Sequence, residues 1–125
     1  VELVPGALRA IKSPGVMKRD SIYLYVAKLA QPQRLAEQCL VSFRGTRNFD
    51  DTLLDVEMSS DEVPKDWGCP GCHAHGGYLS ALLQVEDELM DAMAELNCSR
   101  TKGTVVTGHS MGAALATLTS WLLQE

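Results

Sequence analysis

The run TVVTG at residues 104–108, the pentapeptide Gly108-His109-Ser110-Met111-Gly112 and the helical segment after it constrain this chain more than any other feature. An apolar strand that turns within a few residues into a helix holds the residue at the bend in strained backbone geometry. Here that residue is a serine, and the turn is expected to leave its hydroxyl exposed. Side chains at 108 and 112 would collide with such a bend, which accounts for glycine at both positions. Ala113, Ala114 and Ala116 keep the following helix thin where it packs close to the strand. The positive end of that helix, with its free N–H groups, lies beneath the serine and favours an oxyanion there. The competing structural explanation is a glycine-rich helix start whose serine is only an N-cap.

The rest of the chain supplies a matching frame. Residues 5–20 contain two breaks, Pro5-Gly6 and Pro14-Gly15, which predict short helix and turn. SIYLYVAKL (21–29) is rich in β-branched and aromatic residues and predicts a strand. EQCLVSFRG (37–45) predicts a second strand, its antiparallel neighbour, after a loop containing Gln31-Pro32-Gln33. Residues 46–68 are polar and acidic, yet Phe49, Leu53 and Val56 recur at helical spacing and predict a short amphipathic helix. From Tyr78 to Leu96, apolar residues at 78, 82, 85, 89, 93 and 96 form one stripe, with Glu86, Asp87 and Asp91 turned elsewhere. This long helix ends at Asn97 and the polar NCSRTKG; TVVTG then predicts a short strand of the buried type, and Met111 to Leu123 a helix. Strand, crossover helix, strand, helix is an α/β order, with parallel strands and a right-handed crossover.

Size and charge narrow the function classes. A chain of 125 residues, 46% hydrophobic, holds one domain at most with a modest core. A formal net charge of −5, without a Lys/Arg cluster, argues against a nucleic-acid partner. No apolar run approaches the 18 or so residues of a membrane-spanning helix. The opening VELVPGALRA lacks the basic start and apolar stretch of a signal peptide.

LVSFRGT (40–46), CPGCHAHGGY (69–78) and VVTGHSMGAALATL (105–118) occur in the order and approximate spacing of the class 3, fungal-type lipases, a family that includes feruloyl esterases. The chain resembles that family over about residues 21 to 124. The resemblance implies a partial α/β-hydrolase fold, with 1–125 as the N-terminal portion of a single domain whose later strands are missing. It implies Ser110 as nucleophile and the backbone N–H groups of Thr46 and Met111 as the oxyanion hole. Two preorganised donors of this kind stabilise the developing alkoxide. By the same resemblance, residues 47–58 match a mobile lid whose Phe49, Leu53 and Val56 face covers an apolar pocket or meets a lipid surface; ordinary core packing is the alternative for that face. Thr52 stands where several fungal lipases carry a tryptophan, and the segment is rich in Asp, which leaves room for a more soluble ester substrate. Met111 replaces the commoner leucine, a swap without consequence because only its N–H is used.

The segment Cys69-Pro-Gly-Cys72-His73-Ala-His75 offers four zinc ligands within seven residues, too dense for a tetrahedral site without a second clustered pair. A thioredoxin-like role would need the first cysteine at a helix start after a strand, whereas an acidic loop with Pro64 precedes it. The resembling family can carry a local disulfide here, which implies a Cys69–Cys72 bridge and suits a secreted or lumenal protein. Cys39 and Cys98 read as small buried residues, and His75 and His109 as structural. No metal or cofactor is called for.

A serine hydroxyl needs a base, usually a histidine held by a carboxylate, and in α/β hydrolases both follow the nucleophile in the chain. After Ser110 this sequence has Glu125 as its acid and no histidine. The expectation is therefore a fragment, inactive alone, of a carboxylic ester hydrolase that cleaves triacylglycerols or acylglycerols. The missing C-terminal half is its partner, and a raw sheet edge follows residues 104–108. A feruloyl or other soluble-ester esterase is the alternative within the class; a catalytically incomplete binding module and a small metal-binding domain are alternatives outside it.

Overall fold

The computed structural model describes residues 3–12, 23–30, 39–44, 60–100 and 103–124. Four strands, β1 (Leu3–Lys12), β2 (Tyr23–Leu29), β3 (Cys39–Phe43) and β6 (Thr104–Gly108), form one sheet in the order β1-β2-β3-β6. The first three are antiparallel neighbours, and β3 and β6 run parallel. A second, two-stranded sheet pairs β4 (Ser60–Glu62) with β5 (His73–His75) around a single 3-10 turn at Lys65–Trp67. Two helices complete the described chain: α1 (Gly76–Glu95), which crosses from the β5 end back to β6, and α2 (Met111–Leu122).

The pairing registers sort the side chains onto two faces. Ile11, Leu24, Phe43 and Gly108 stand in one row across the four strands, and Arg9, Val26, Val41 and Val106 stand in another on the same face. Leu24, Val26 and Val41 are fully buried. They join Leu79, Leu82, Val85, Leu89 and Met93 of α1 and Met111, Leu115 and Leu122 of α2 in a single cluster. The stripe expected on the long helix is thus the face it buries. The opposite sheet face is more open, with Leu8 50%, Tyr25 38% and Val105 37% exposed.

The end of α1 shows how sequence sets a boundary. Asn97 adopts a left-handed φ of 56°, its N–H donates to Ala94 O at 3.1 Å, and the Cys98 N–H returns to Met93 O at 2.8 Å. This paired closure satisfies the last carbonyls of a helix and favours Asn or Gly at the left-handed position.

Three expectations are corrected. Residues 3–12 form a strand, not short helix and turn. Gly6, at φ +77°, is taken up where the register slips between Leu3 and Leu8, and Pro5 is tolerated because β1 lies at the sheet's edge. β6 is half-exposed rather than of the buried type, because among the described residues only β3 lies beside it. Cys39 and Cys98 are not separate buried residues but are bonded to each other, their Cα atoms 5.8 Å apart. Cys39 begins β3 on the covered face, where the chain leaving α1 passes over it, so the two thiols meet. The hairpin of β4 and β5 was not anticipated, since its three-residue strands are too short to show a period.

Candidate active site

The bend after β6 is tight. Gly112 N–H donates to His109 O at 3.0 Å and Ala113 N–H to Ser110 O at 2.9 Å. The Met111 N–H precedes both donors and takes no part in these turn bonds. Glycine at 108 and 112 follows from the geometry. A β-carbon built on Gly108 would lie 2.2 Å from the carbonyl oxygen of Gly112, and one on Gly112 would lie 2.8 Å from that of Phe43. Both are closer than real β-carbons come, and the opposing atoms are backbone. The thinness of α2 is used at Gly112 and Ala116, which are buried; Ala113 points out.

Ser110 sits at the apex with φ 59° and ψ −123°. Non-glycine residues seldom occupy positive φ, and where they do the surrounding structure holds them there. Its side chain makes no capping hydrogen bond to α2. The N-cap explanation therefore fails: a capping serine is extended and accepts an N–H through its oxygen. The hydroxyl is not exposed as expected. Its Oγ is enclosed and has no hydrogen-bond partner among the described residues. The residue itself remains half-buried and stands apart from the apolar core.

The histidines do not converge on Ser110 as a base. His75 caps α1, its Nδ1 accepting the Tyr78 N–H at 3.4 Å, and its ring lies 4.4 Å from that of Tyr78. His73 and His109 are exposed, His109 within the bend itself. Cys69 and Cys72 are bonded to each other at the tip of the β4–β5 hairpin, with Cα atoms 5.5 Å apart, so their sulfurs are engaged. Thr46, Phe49, Leu53 and Val56 lie outside the described residues. Two contributors escaped the sequence reading. Phe43 supplies the backbone wall behind Gly112, and Trp67 is fully buried against Trp121 near the end of α2. Neither carries a local motif; both act through contacts distant in the chain.

A strand, a serine at positive φ and a helix starting directly after it have the backbone geometry of a strand-to-helix elbow. The family described as "Lipase (class 3)" matches residues 40–125. The chain belongs to the class 3 lipase family. Lipases of Rhizopus niveus and Rhizopus oryzae are each 36% identical to it over 78 residues, 61% of this chain and 19% of theirs. Among solved structures, a Rhizomucor miehei lipase propeptide complex superposes with a TM-score of 0.64 at 24% identity, over 94% of this chain and 35% of that one. The Rhizomucor miehei triacylglyceride lipase gives 0.62 at 23% identity, over 90% and 40%. The structural likeness shows the fold, part of an α/β hydrolase. This class 3 lipase chain spans about a fifth of the length of the Rhizopus relatives and under half of either solved chain.

Proposed function

We propose that this chain carries the nucleophile of a serine carboxylic ester hydrolase, an acylglycerol lipase working through a Ser110 acyl-enzyme. The observation that supports this most directly is the serine's conformation, held at positive φ while its hydroxyl neither caps the helix nor bonds to another described residue. In this reading Oγ attacks the acyl carbon, its proton passes to a histidine base, and that base protonates the departing alcohol. Water then hydrolyses the acyl-enzyme by the reverse proton path. The base and its carboxylate come from outside residues 1–125, in the C-terminal remainder of the domain. The N–H groups of Met111 and Thr46 receive the negative oxygen, each supplying roughly 3–4 kcal/mol of transition-state stabilisation. Phe49, Leu53 and Val56 form a lid face that meets the lipid surface. The relatives' names, lipase and triacylglyceride lipase, favour acylglycerols as substrates.

A serine-directed alkyl phosphonate, applied to the longer protein and mapped by mass spectrometry, tests the reading. It should label Ser110 and leave the Ser110→Ala variant unmodified; labelling elsewhere with Ser110 untouched overturns it. Rates on emulsified long-chain triacylglycerols should exceed those on methyl ferulate. The reverse order selects the soluble-ester alternative, which the acidic composition of residues 46–68 favours.

A further inference from the structure

Lys12, Tyr23 and Arg44 occupy one row at the end of the sheet. Lys12 pairs with Tyr23 across β1 and β2, and the Arg44 N–H donates to Tyr23 O at 2.9 Å. Residues opposite one another in a ladder share a face, so the tyrosine ring is flanked by a cation from each neighbouring strand. Lys12 Nζ lies 5.5 Å from the ring centroid and Arg44 Cζ 5.1 Å. Each cation is attracted to the ring, yet the two repel each other. Among the described residues no carboxylate pairs with either; the ion pair seen there joins Arg9 to Glu95. The chain does not lack acids, with 16 Asp and Glu against 11 Lys and Arg. Two cations gathered on one ring, with no acid partner among the described residues, have the chemistry of an oxyanion site.

The location gives the pair a use. The adjoining row, Ile11, Leu24, Phe43 and Gly108, ends where β6 enters the Ser110 bend. Phe43, against which Gly112 is pressed, immediately precedes Arg44. The cations therefore stand at the same end of the sheet as the nucleophile. We propose that Lys12 and Arg44, braced on Tyr23, form an anion subsite that takes the carboxylate or phosphate group of an ester substrate cleaved at Ser110. This rests on the ester-hydrolase reading for the substrate, though not for the binding of the anion.

Two measurements separate those parts. In the first, inorganic phosphate is titrated into the protein while the Arg44 and Tyr23 resonances are followed by NMR, with sodium chloride at matched ionic strength as control. Saturable shifts that weaken at least fivefold in Lys12→Gln and in Arg44→Gln are expected; shifts equal to those from chloride, or unchanged by Lys12→Gln, overturn the subsite. In the second, the full-length enzyme hydrolyses the monoethyl and diethyl esters of one dicarboxylic acid. The ratio of kcat/KM for the anionic over the neutral ester should fall at least fivefold in Lys12→Gln. Phosphate binding with an unchanged ratio overturns the substrate assignment. Failure of Ser110 to take the phosphonate would instead remove the hydrolase reading and leave the phosphate result standing.

Discussion

Gly112 lies so close to Phe43 that a β-carbon on it would stand 2.8 Å from the phenylalanine's carbonyl oxygen. This backbone contact joins the end of β3 to the start of α2, and through it the sheet fixes the serine bend. Gly112→Ala must push one of two backbones aside, at a cost of roughly 1–3 kcal/mol, as for other overpacked sites. Gly108→Ala should cost more, since its β-carbon would come within 2.2 Å of Gly112 O. Gly71 is the control. At φ +80° with open space around it, Gly71→Ala meets only the left-handed backbone cost of about 1–2 kcal/mol. Urea unfolding should therefore rank the losses 108, 112, 71; a Gly108→Ala variant as stable as the parent would refute the account of the bend.

The two disulfides should differ in what they contribute. Cys39–Cys98 joins residues 59 apart in sequence, and cross-linking a loop of that length restricts the unfolded chain by about 4 kcal/mol. Cys69–Cys72 spans a separation of 3, worth under about 2 kcal/mol on the same scale. Paired alanine substitution at 39 and 98 should lower the urea midpoint well below that of the 69/72 pair. An equal or reversed effect would show that strain or unfolded-state structure outweighs loop length.

What the sequence made legible was what local chemistry determines. The stripe from Tyr78 to Leu96 specified the helix and its buried face, and Asn97 marked its end. The spacing of Gly108, Ser110 and Gly112 specified the elbow, because only glycine fits at either side of it. Other features depended on partners far away in the chain. Pro5-Gly6 reads as a break until β2 pairs with the strand and absorbs Gly6 as an irregularity. Cys39 and Cys98 carry no signal of their pairing, which follows from where α1 ends over the sheet. The wall that excludes a β-carbon at Gly112 likewise comes from Phe43, 69 positions earlier, rather than from the pentapeptide. Tyr23 shows the same limit, since its two cations come from strands on either side.

Glu86, half-buried on α1, titrates above the ordinary carboxylate value of 4.5. Desolvation by burial is the largest cause, followed by the charges of Asp66 and Asp87, with Arg100 opposing them. A folded-state value above the unfolded one means that the folded chain binds more protons in the window just above pH 4.5. Stability therefore falls as pH rises through that window, and the ionised carboxylate works against the fold at neutral pH. Glu86→Gln should raise Tm at pH 7 and flatten the decline of Tm with pH above 4.5. Parallel Tm–pH curves for the two proteins, recorded by circular dichroism, would show that the shift does not couple to folding.

Trp67 ties the small hairpin to the main body. It closes the 3-10 turn between β4 and β5, is 1% exposed, and meets Trp121 of α2 edge-to-face with centroids 5.8 Å apart and planes at 67°. Trp67→Ala should cost roughly 3–5 kcal/mol, the usual range for emptying a buried aromatic site. Area alone would predict independent losses from Trp67→Leu and Trp121→Leu. A T-shaped pair adds an interaction of about 0.5–1.5 kcal/mol that either substitution removes. The double variant should therefore lose less than the sum of the single losses, by that amount. Additive losses in urea unfolding would mean that the rings share only a boundary, and that the burial of Trp67 rather than the ring pair holds the hairpin to the body.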